Sequence, residues 1–555
     1  MPYVPPSFPA KVPASVKSGE TETTAILVVG AGPIGLATAL DLGLRGHRVV
    51  VVDRGTQLSD GSRAICYAKR PLEIMDRLGF GEAMVEKGVS WNIGRVFFKD
   101  DPEPVYSFDL LPEKDQKFPG MINIQQYYNE EFNIAALEKL DNVDIRWGNE
   151  VTGITDGPDG VEVQVETPEG GYRLAAKWLV ACDGAHSPTR KMLGMEFLGQ
   201  TFRDNFLIAD VKFKAERPTE RHFWFDPPFN PGQSVLLHKQ PDDVWRIDFQ
   251  VGWDIDREEI VKPENVTPRI KAMLGDDIEF EYEWISVYTF NCRQVKNMVH
   301  GHVVFAGDSA HLVSPFGARG ANTGFQDADN LAWKLDLVLR GKAGEGLIRS
   351  YDEERTLAAE INILNSTRST DFITPKSRAS MVFRDATLEL AKDQPCVRGF
   401  VNSGRLSMPV PYPQSCLNTP DEDAWAGGVT PGTNSIDAPI VVDGEPGWFI
   451  NQLGWQFKAV IFTGQAGLDP QVRASLKALS DETIPVEVLL VGTGEDEDFP
   501  VLNDDTGLLA ARLGAEEGST YLFRPDQYVT ARWKQLDAGK IRRARDLATA
   551  NLGES

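Results

Sequence analysis

The longest apolar stretch of the chain, residues 25–44, is about as long as a membrane span. Glycines, Pro33 and Asp41 interrupt it, no basic flank precedes it, and no small-residue cleavage site follows. A strand, a tight turn and a helix account for it better. Residues 26–29 form a β-branched run, 30–35 a glycine-rich turn, and 36–44 a helical segment that stops at Gly46. A second apolar strand over 47–52 closes on Asp53. Such a βαβ unit requires parallel pairing. Two more buried strands are predicted at 177–182 and 302–306, ending on Asp183-Gly184 and Gly307-Asp308, and a helix rich in Ala, Leu and Trp at 324–339. The period then changes: residues 205–215 and 221–250 alternate apolar and polar, the mark of antiparallel strands with one solvated face. Residues 351–395 read as helical and 408–440, rich in Pro, Gly and Asn, as a linker. From about 445 a βα alternation resumes, with strands at 456–462, 486–491, 520–523 and 528–533 and a helix near 470–480. Pro2, Pro5, Pro6, Pro9 and Pro13 make the first twenty or so residues a loose arm.

Composition narrows the class. Among 555 residues, 57 Lys and Arg face 81 Asp and Glu, a net charge of −24 that repels phosphate backbones and anionic lipid. Neither nucleic acid nor a membrane is therefore an expected partner. Apolar residues at 42% permit a large core. The five cysteines lie far apart with no C-x-x-C pair, which gives no support to a zinc site or redox dithiol and suits a reducing, cytoplasmic location. Each cysteine reads as a small buried hydrophobe.

Three motifs carry the chemistry. The first is G-x-G-x-x-G at Gly30, Gly32 and Gly35. The first glycine allows a tight turn, the second lets backbone N–H groups approach a pyrophosphate, and the third lets helix pack on strand. Asp53 follows at the end of the next strand, where a carboxylate takes ribose hydroxyls. That much specifies a dinucleotide without separating NAD from FAD. The second motif runs from Asp183-Gly184 through Ser187-Pro188-Thr189-Arg190, and the third from Gly307-Asp308 through Pro315 to Asn322 and beyond. Each puts a carboxylate at the C-terminal end of a buried strand, where α/β sheets bind ligands. Asp183 is equally well placed to cap the helix that follows.

In this order and at these separations the motifs resemble those of the single-component FAD-dependent aromatic hydroxylases with the p-hydroxybenzoate hydroxylase fold. Length and inserted sheet bring the chain nearest the phenol hydroxylase and 3-(3-hydroxyphenyl)propionate hydroxylase branch. The resemblance implies an α/β fold: a Rossmann-like FAD-binding module, an inserted antiparallel β-sheet substrate module, and a C-terminal thioredoxin-like domain. The boundaries expected are a flexible arm at 1–24, the FAD module at 25–204 with a short excursion near 90–120 to the substrate side, the sheet module at 205–291, the second part of the FAD module with helices at 292–407, a linker at 408–444, and the thioredoxin-like domain at 445–555. Lacking C-x-x-C, that last domain is expected to serve packing or dimerisation, and the assembly to be a homodimer.

Position by position, the resemblance assigns Gly30, Gly32, Gly35 and Asp53 to the ADP half of FAD, and Arg63 to the flavin and its phosphates. Gln126 becomes a cofactor contact, Asp183 and Arg190 the second fingerprint, and Asp308 the ribityl contact. Pro315, Gly320, Ala321 and Asn322 belong to the loop under the isoalloxazine ring. Arg319 departs from the glutamine common among relatives and adds a cation there. The implied reaction takes NADH or NADPH as a transient reductant and O2 as co-substrate, and hydroxylates a phenolic compound through a C4a-hydroperoxyflavin. A phenol is activated by drawing off its proton, and Asp60 and Tyr288 resemble the residues that polarise its hydroxyl; they read equally as a turn-forming Asp and a packed strand Tyr. For a carboxylated substrate, His222, Arg246 or Arg293 could supply a cation. The alternatives are a polyketide or antibiotic hydroxylase or an epoxidase on the same scaffold and, further off, a flavin-binding protein without turnover.

Overall fold

Runs such as Val49–Asp53, four valines and an aspartate, are apolar on both faces and therefore form strands of a sheet covered on both sides. In the computed structural model, which describes residues 3–59, 61, 63–214, 218–402, 407–463 and 468–549, these runs build a Rossmann-like sheet. Its main strand order is Val299–His300, Val303–Phe305, Gly170–Ala181, Glu22–Val29, Val49–Asp53, Val143–Trp147. The central pairs are parallel. Helix Pro33–Leu44 starts with Pro at its first turn, where a missing N–H costs nothing, and buries Gly35 through Gly43. Asp41, polar within that buried stretch, is satisfied by Arg45 Nε at 2.7 Å.

The chain divides into two compact units. One comprises Met1–Pro112, Pro119–Gln326 and Ala358–Met408; the other comprises Glu113–Phe118, Asp327–Leu357 and Pro409–Ser555. The first unit holds the Rossmann-like sheet and the inserted one. The inserted sheet runs His311–Leu312, Glu281–Val295, Phe197–Lys212, Val244–Val251, Ser234–Lys239, Arg221–Phe225, Ile93–Phe98, Tyr106–Asp109. It is wider than 205–291, and one of its pairs, Arg221–Phe225 with Ile93–Phe98, is parallel because the excursion near 90–120 supplies the partner. Trp245, Ile247 and Phe249 face a core completed by Val266 and Ile270 of helix Pro263–Leu274. The opposite face carries Phe206, Phe223, Phe225 and Leu236.

The N-terminal stretch is not the loose arm its prolines suggested. Phe8 stacks on Trp147 with centroids 4.6 Å apart, Tyr3 stacks on Tyr127 at 3.5 Å, and Lys11 N donates to Trp147 O at 3.0 Å. Proline removes donors but leaves neighbouring aromatics free to pack.

The second unit is a mixed α/β domain around the order Glu445–Trp448, Pro439–Val442, Val501–Asn503, Val486–Val491, Phe457–Phe462, Thr520–Phe523, Val529–Trp533. It starts before 445. The stretch expected as a linker is bound into it by backbone bonds that carry no hydrophobic period, such as Tyr412 N to Gly432 O at 2.7 Å and Thr419 N to Thr530 O at 2.8 Å. Within this unit Glu354 accepts from Arg524 at 2.6 Å, Lys334 at 2.9 Å and Ser415 at 2.6 Å, all three charged groups being buried. Two cysteines depart from the expected burial: Cys396 and Cys416 are exposed.

Candidate functional site

The three motifs begin at one level. In the parallel registers Val29 pairs with Ala181, and Ala181 with Phe305. Each strand therefore ends beside the next, and Gly30, Asp183 and Gly307-Asp308 emerge from the same edge of the sheet. The glycines show what this closeness demands. Gly30 has φ +105, and a Cβ there would lie 2.4 Å from Cys182 O. A Cβ on Gly35 would lie 1.9 Å from Gly30 O. At Gly32 nothing comes within 4 Å of a Cβ position, and at Gly184 the same holds. Two glycines are thus consumed by packing, and Gly32 opens onto free space at the N-terminus of a twelve-residue helix.

The polar groups divide into those that build the cradle and those that face it. Asp53 accepts from Ala31 N and Gly55 N, each at 2.7 Å. Asp183 accepts from Thr189 N at 2.9 Å, while its other oxygen is buried with no partner among the described residues. Arg190 donates to Ser309 O at 2.7 Å and Ala185 O at 2.8 Å, and lies 3.9 Å from the Phe197 ring centroid. It ties the second motif to the third. Gln126 accepts from Ala64 N at 3.2 Å and donates to Glu130 at 2.8 Å, and Glu130 in turn receives Ser59 N and Oγ. Its neighbour Gln125 is buried and donates to Pro241 O. Asn322 accepts from Ala68 N and donates to Cys66 O, each at 2.8 Å, which holds the loop after Pro315 against strand Cys66–Ala68. Arg319 turns its guanidinium to Asn362 at 2.6 Å; burial pulls its pKa down to about 10.

Asp308 and Pro315 are exposed between buried neighbours and Arg63 is exposed, while Gly320 and Ala321 are half-buried. The charges of Asp308 and Arg63 both reach Tyr288, whose hydroxyl is raised above its ordinary range by burial first and by Asp308 second. Residues from three distant segments thereby share one electrostatic neighbourhood. Asp60, the proposed partner of Tyr288, lies outside the described residues; Gly61 beside it packs so closely on the Trp284 indole that a Cβ would lie 2.6 Å away.

Next to this edge the first unit encloses a cavity of about 730 Å³. Phe316 and Gly317, from the loop that follows Asp308, form one part of its wall, and Trp91, Phe108, Arg221 and Phe223 another. Phe383 and Phe400, from helices Arg378–Ala391 and Pro395–Asn402, belong to the lining and are also 57% and 62% exposed. With Met381, Val382 and Leu390 they leave an apolar surface in water.

The cations proposed for a substrate carboxylate fall elsewhere. Arg246 is held by Asp210 through two bonds of 2.8 and 2.7 Å. His222 lies 3.4 Å from Glu220 and, one residue out of phase with Arg221 and Phe223, points to the other face of the sheet. Arg293 donates to Phe197 O at 3.1 Å. None of the three lines the cavity; Arg221 does. The signal was present in the alternation of 221–225, which puts Arg221 in phase with Phe223.

Residues 23–366 match the family described as FAD binding domain. The chain belongs to that family. A 3-(3-hydroxy-phenyl)propionate/3-hydroxycinnamic acid hydroxylase of Mycolicibacterium smegmatis is 26% identical over 95% of this chain and 92% of its own. A 12-dehydrotetracycline 5-monooxygenase/anhydrotetracycline 6-monooxygenase of Streptomyces rimosus is 32% identical over 62% of this chain and 68% of its own. The fold is that of the flavin-dependent monooxygenase PieE, solved with FAD and substrate, at TM-score 0.80 with 20% identity over 96% of this chain and 99% of that one. The residues of this FAD binding domain fit the cofactor. The open space at Gly32 and the helix N-terminus suit a pyrophosphate, Asp53 a ribose, and the exposed Asp308 a polyol.

Proposed function

We propose that the protein is an NAD(P)H- and O2-dependent monooxygenase that hydroxylates a phenolic aromatic compound. One observation carries this reading: the stretch from Asp308 to Asn322 starts at the sheet edge that gathers the three motifs and supplies Phe316 and Gly317 to the wall of a largely apolar cavity. FAD supplies the redox and oxygen chemistry when bound. The chain's own residues bind, orient and exclude water. Gly30, Gly32, Gly35 and Asp53 hold the ADP half, and Arg63, Gln126, Asp183, Arg190 and Asp308 shape the rest of the cradle. Pro315, Gly320, Ala321 and Asn322 form its floor. The aromatic wall keeps the reacting face dry. Tyr288, whose proton is retained across the working pH range, donates a hydrogen bond to the substrate oxygen, and Asp60 draws off the phenolic proton. The substrates for which the relatives are named support an aromatic ring.

Nicotinamide oxidation should be recorded with the FAD-loaded protein across a panel of phenols and hydroxyphenyl acids, with hydroxylated product quantified beside peroxide. A yellow protein that oxidises neither NADH nor NADPH with any of them would refute the reading. Asp60→Asn and Tyr288→Phe should each slow product formation; wild-type rates in both would remove those two roles. The cavity volume favours a second reading, a multi-ring substrate, which the same panel tests by including polycyclic phenols. A homodimer and a cytoplasmic location complete the proposal, the former measured by light scattering.

A further inference from the structure

One face of the inserted sheet carries a row of polar and charged groups on adjacent strands. Arg246 and Asp210 are register partners and are bonded to each other. Next, His238 contacts Asp248 at 3.1 Å. Last comes Arg221, 7% exposed and lining the cavity. It is treated differently from Arg246. Its one hydrogen-bond partner among the described residues is the Cys66 thiol, 3.8 Å from Nη1, and its Nε has none. The thiol is no counter-ion, because burial holds Cys66 above its ordinary pKa and its S–H donates to Asn123 Oδ1 at 3.2 Å. Asp248 acts on Arg221 through space but spends its hydrogen bond on His238. The guanidinium is flanked by aromatic rings, with Trp91 and Phe223 centroids 5.6 and 5.0 Å away. A buried polar group short of partners is destabilising, the more so when charged. A guanidinium in that condition on a cavity wall is a ready fork for a planar anion.

We infer that Arg221 anchors the carboxylate of an acidic aromatic substrate at the sheet wall of the cavity, leaving the ring towards Phe316. The inference rests on the hydroxylase reading and adds the substrate's charge and the residue that reads it. The probes are 3-(3-hydroxyphenyl)propionate and its neutral methyl ester, titrated into FAD-loaded protein and followed by the flavin absorbance change. Wild type should bind the acid at least about tenfold tighter than the ester. Arg221→Gln should weaken the acid by about 30-fold or more, as for a buried charge pair that loses one member, and leave the ester within about threefold. Arg221→Lys should keep part of the preference, and with the wild-type ratio it decides the matter if Arg221→Gln fails to hold FAD. Equal affinity of wild type for acid and ester, an equal loss of both in Arg221→Gln, or preferential binding of a neutral polycyclic phenol that the substitution leaves untouched would each overturn the assignment. Because binding is read without turnover, absence of phenol-stimulated nicotinamide oxidation would defeat the hydroxylase reading alone.

Discussion

Gly32 and Gly35 lie three residues apart in one turn, and the structure predicts opposite consequences for the same added methyl group. Gly32 has φ −78, a conformation any residue adopts, and its Cβ position is clear of neighbours to 4 Å. Gly32→Ala should therefore leave the apoprotein's melting temperature unchanged or slightly higher, since the unfolded chain loses freedom worth about 0.4–1 kcal/mol. The methyl group would instead stand where backbone amides must approach a pyrophosphate. Overpacking of about 1–3 kcal/mol in the complex corresponds to roughly a 5–150-fold loss of FAD affinity. Gly35→Ala reverses the pattern. Its Cβ would fall 1.9 Å from Gly30 O and 3.2 Å from Cys182 Cβ, so strand and helix must separate before any cofactor arrives, and the apoprotein should melt several degrees lower. The assays are thermal unfolding of apoprotein followed by tryptophan fluorescence, and FAD titration followed by quenching of flavin fluorescence. An apo Gly32→Ala protein that melts like wild type yet binds FAD with wild-type affinity would refute the placement of the pyrophosphate at this turn.

Two further outcomes follow from the buried polar groups. His238 is neutral in the fold, its pKa lowered from 6.5 to about 4 by burial and then by Arg221; the unfolded chain protonates first, so stability is complete above about pH 6.5 and declines by up to about 3 kcal/mol as the pH falls towards 4. His238→Gln should flatten the difference in melting temperature between pH 7 and pH 5, and an unchanged difference would count against a neutral, buried His238. Arg190→Gln removes charge-assisted bonds to Ser309 O and Ala185 O and should cost about 3 kcal/mol together with FAD affinity; retention of both in thermal unfolding and FAD titration would show that Arg190 does not join the two strand ends.

The sheet edge that gathers the three motifs was legible because its determinants are local: buried valine runs, the glycines at 30 and 35 where a side chain would collide, and carboxylates at strand ends. Arg221 was legible only in part: alternation sets it in phase with Phe223, but which arginine is left without a carboxylate depends on pairing between strands. Arg246 and Arg221 look alike in the alternation, and only the register that sets Asp210 beside Arg246 removes one of them from candidacy. Asp183 and Arg190 show another limit. Their side chains cap a helix and hold carbonyl groups, work that the spacing of the motif does not distinguish from contact with a cofactor. The linker and the N-terminal arm were misjudged for one reason: prolines and glycines hide aromatic stacking and isolated backbone bonds from any reading based on periodicity.

The water-facing phenylalanines at 383 and 400, with Met381, Val382 and Leu390 beside them, bear on the bench as well as on the enzyme. An environment-sensitive apolar dye of the kind used to monitor melting would adsorb to that patch on the intact protein. It would fluoresce before any unfolding began, so stability is better followed through the protein's own tryptophans or the released flavin.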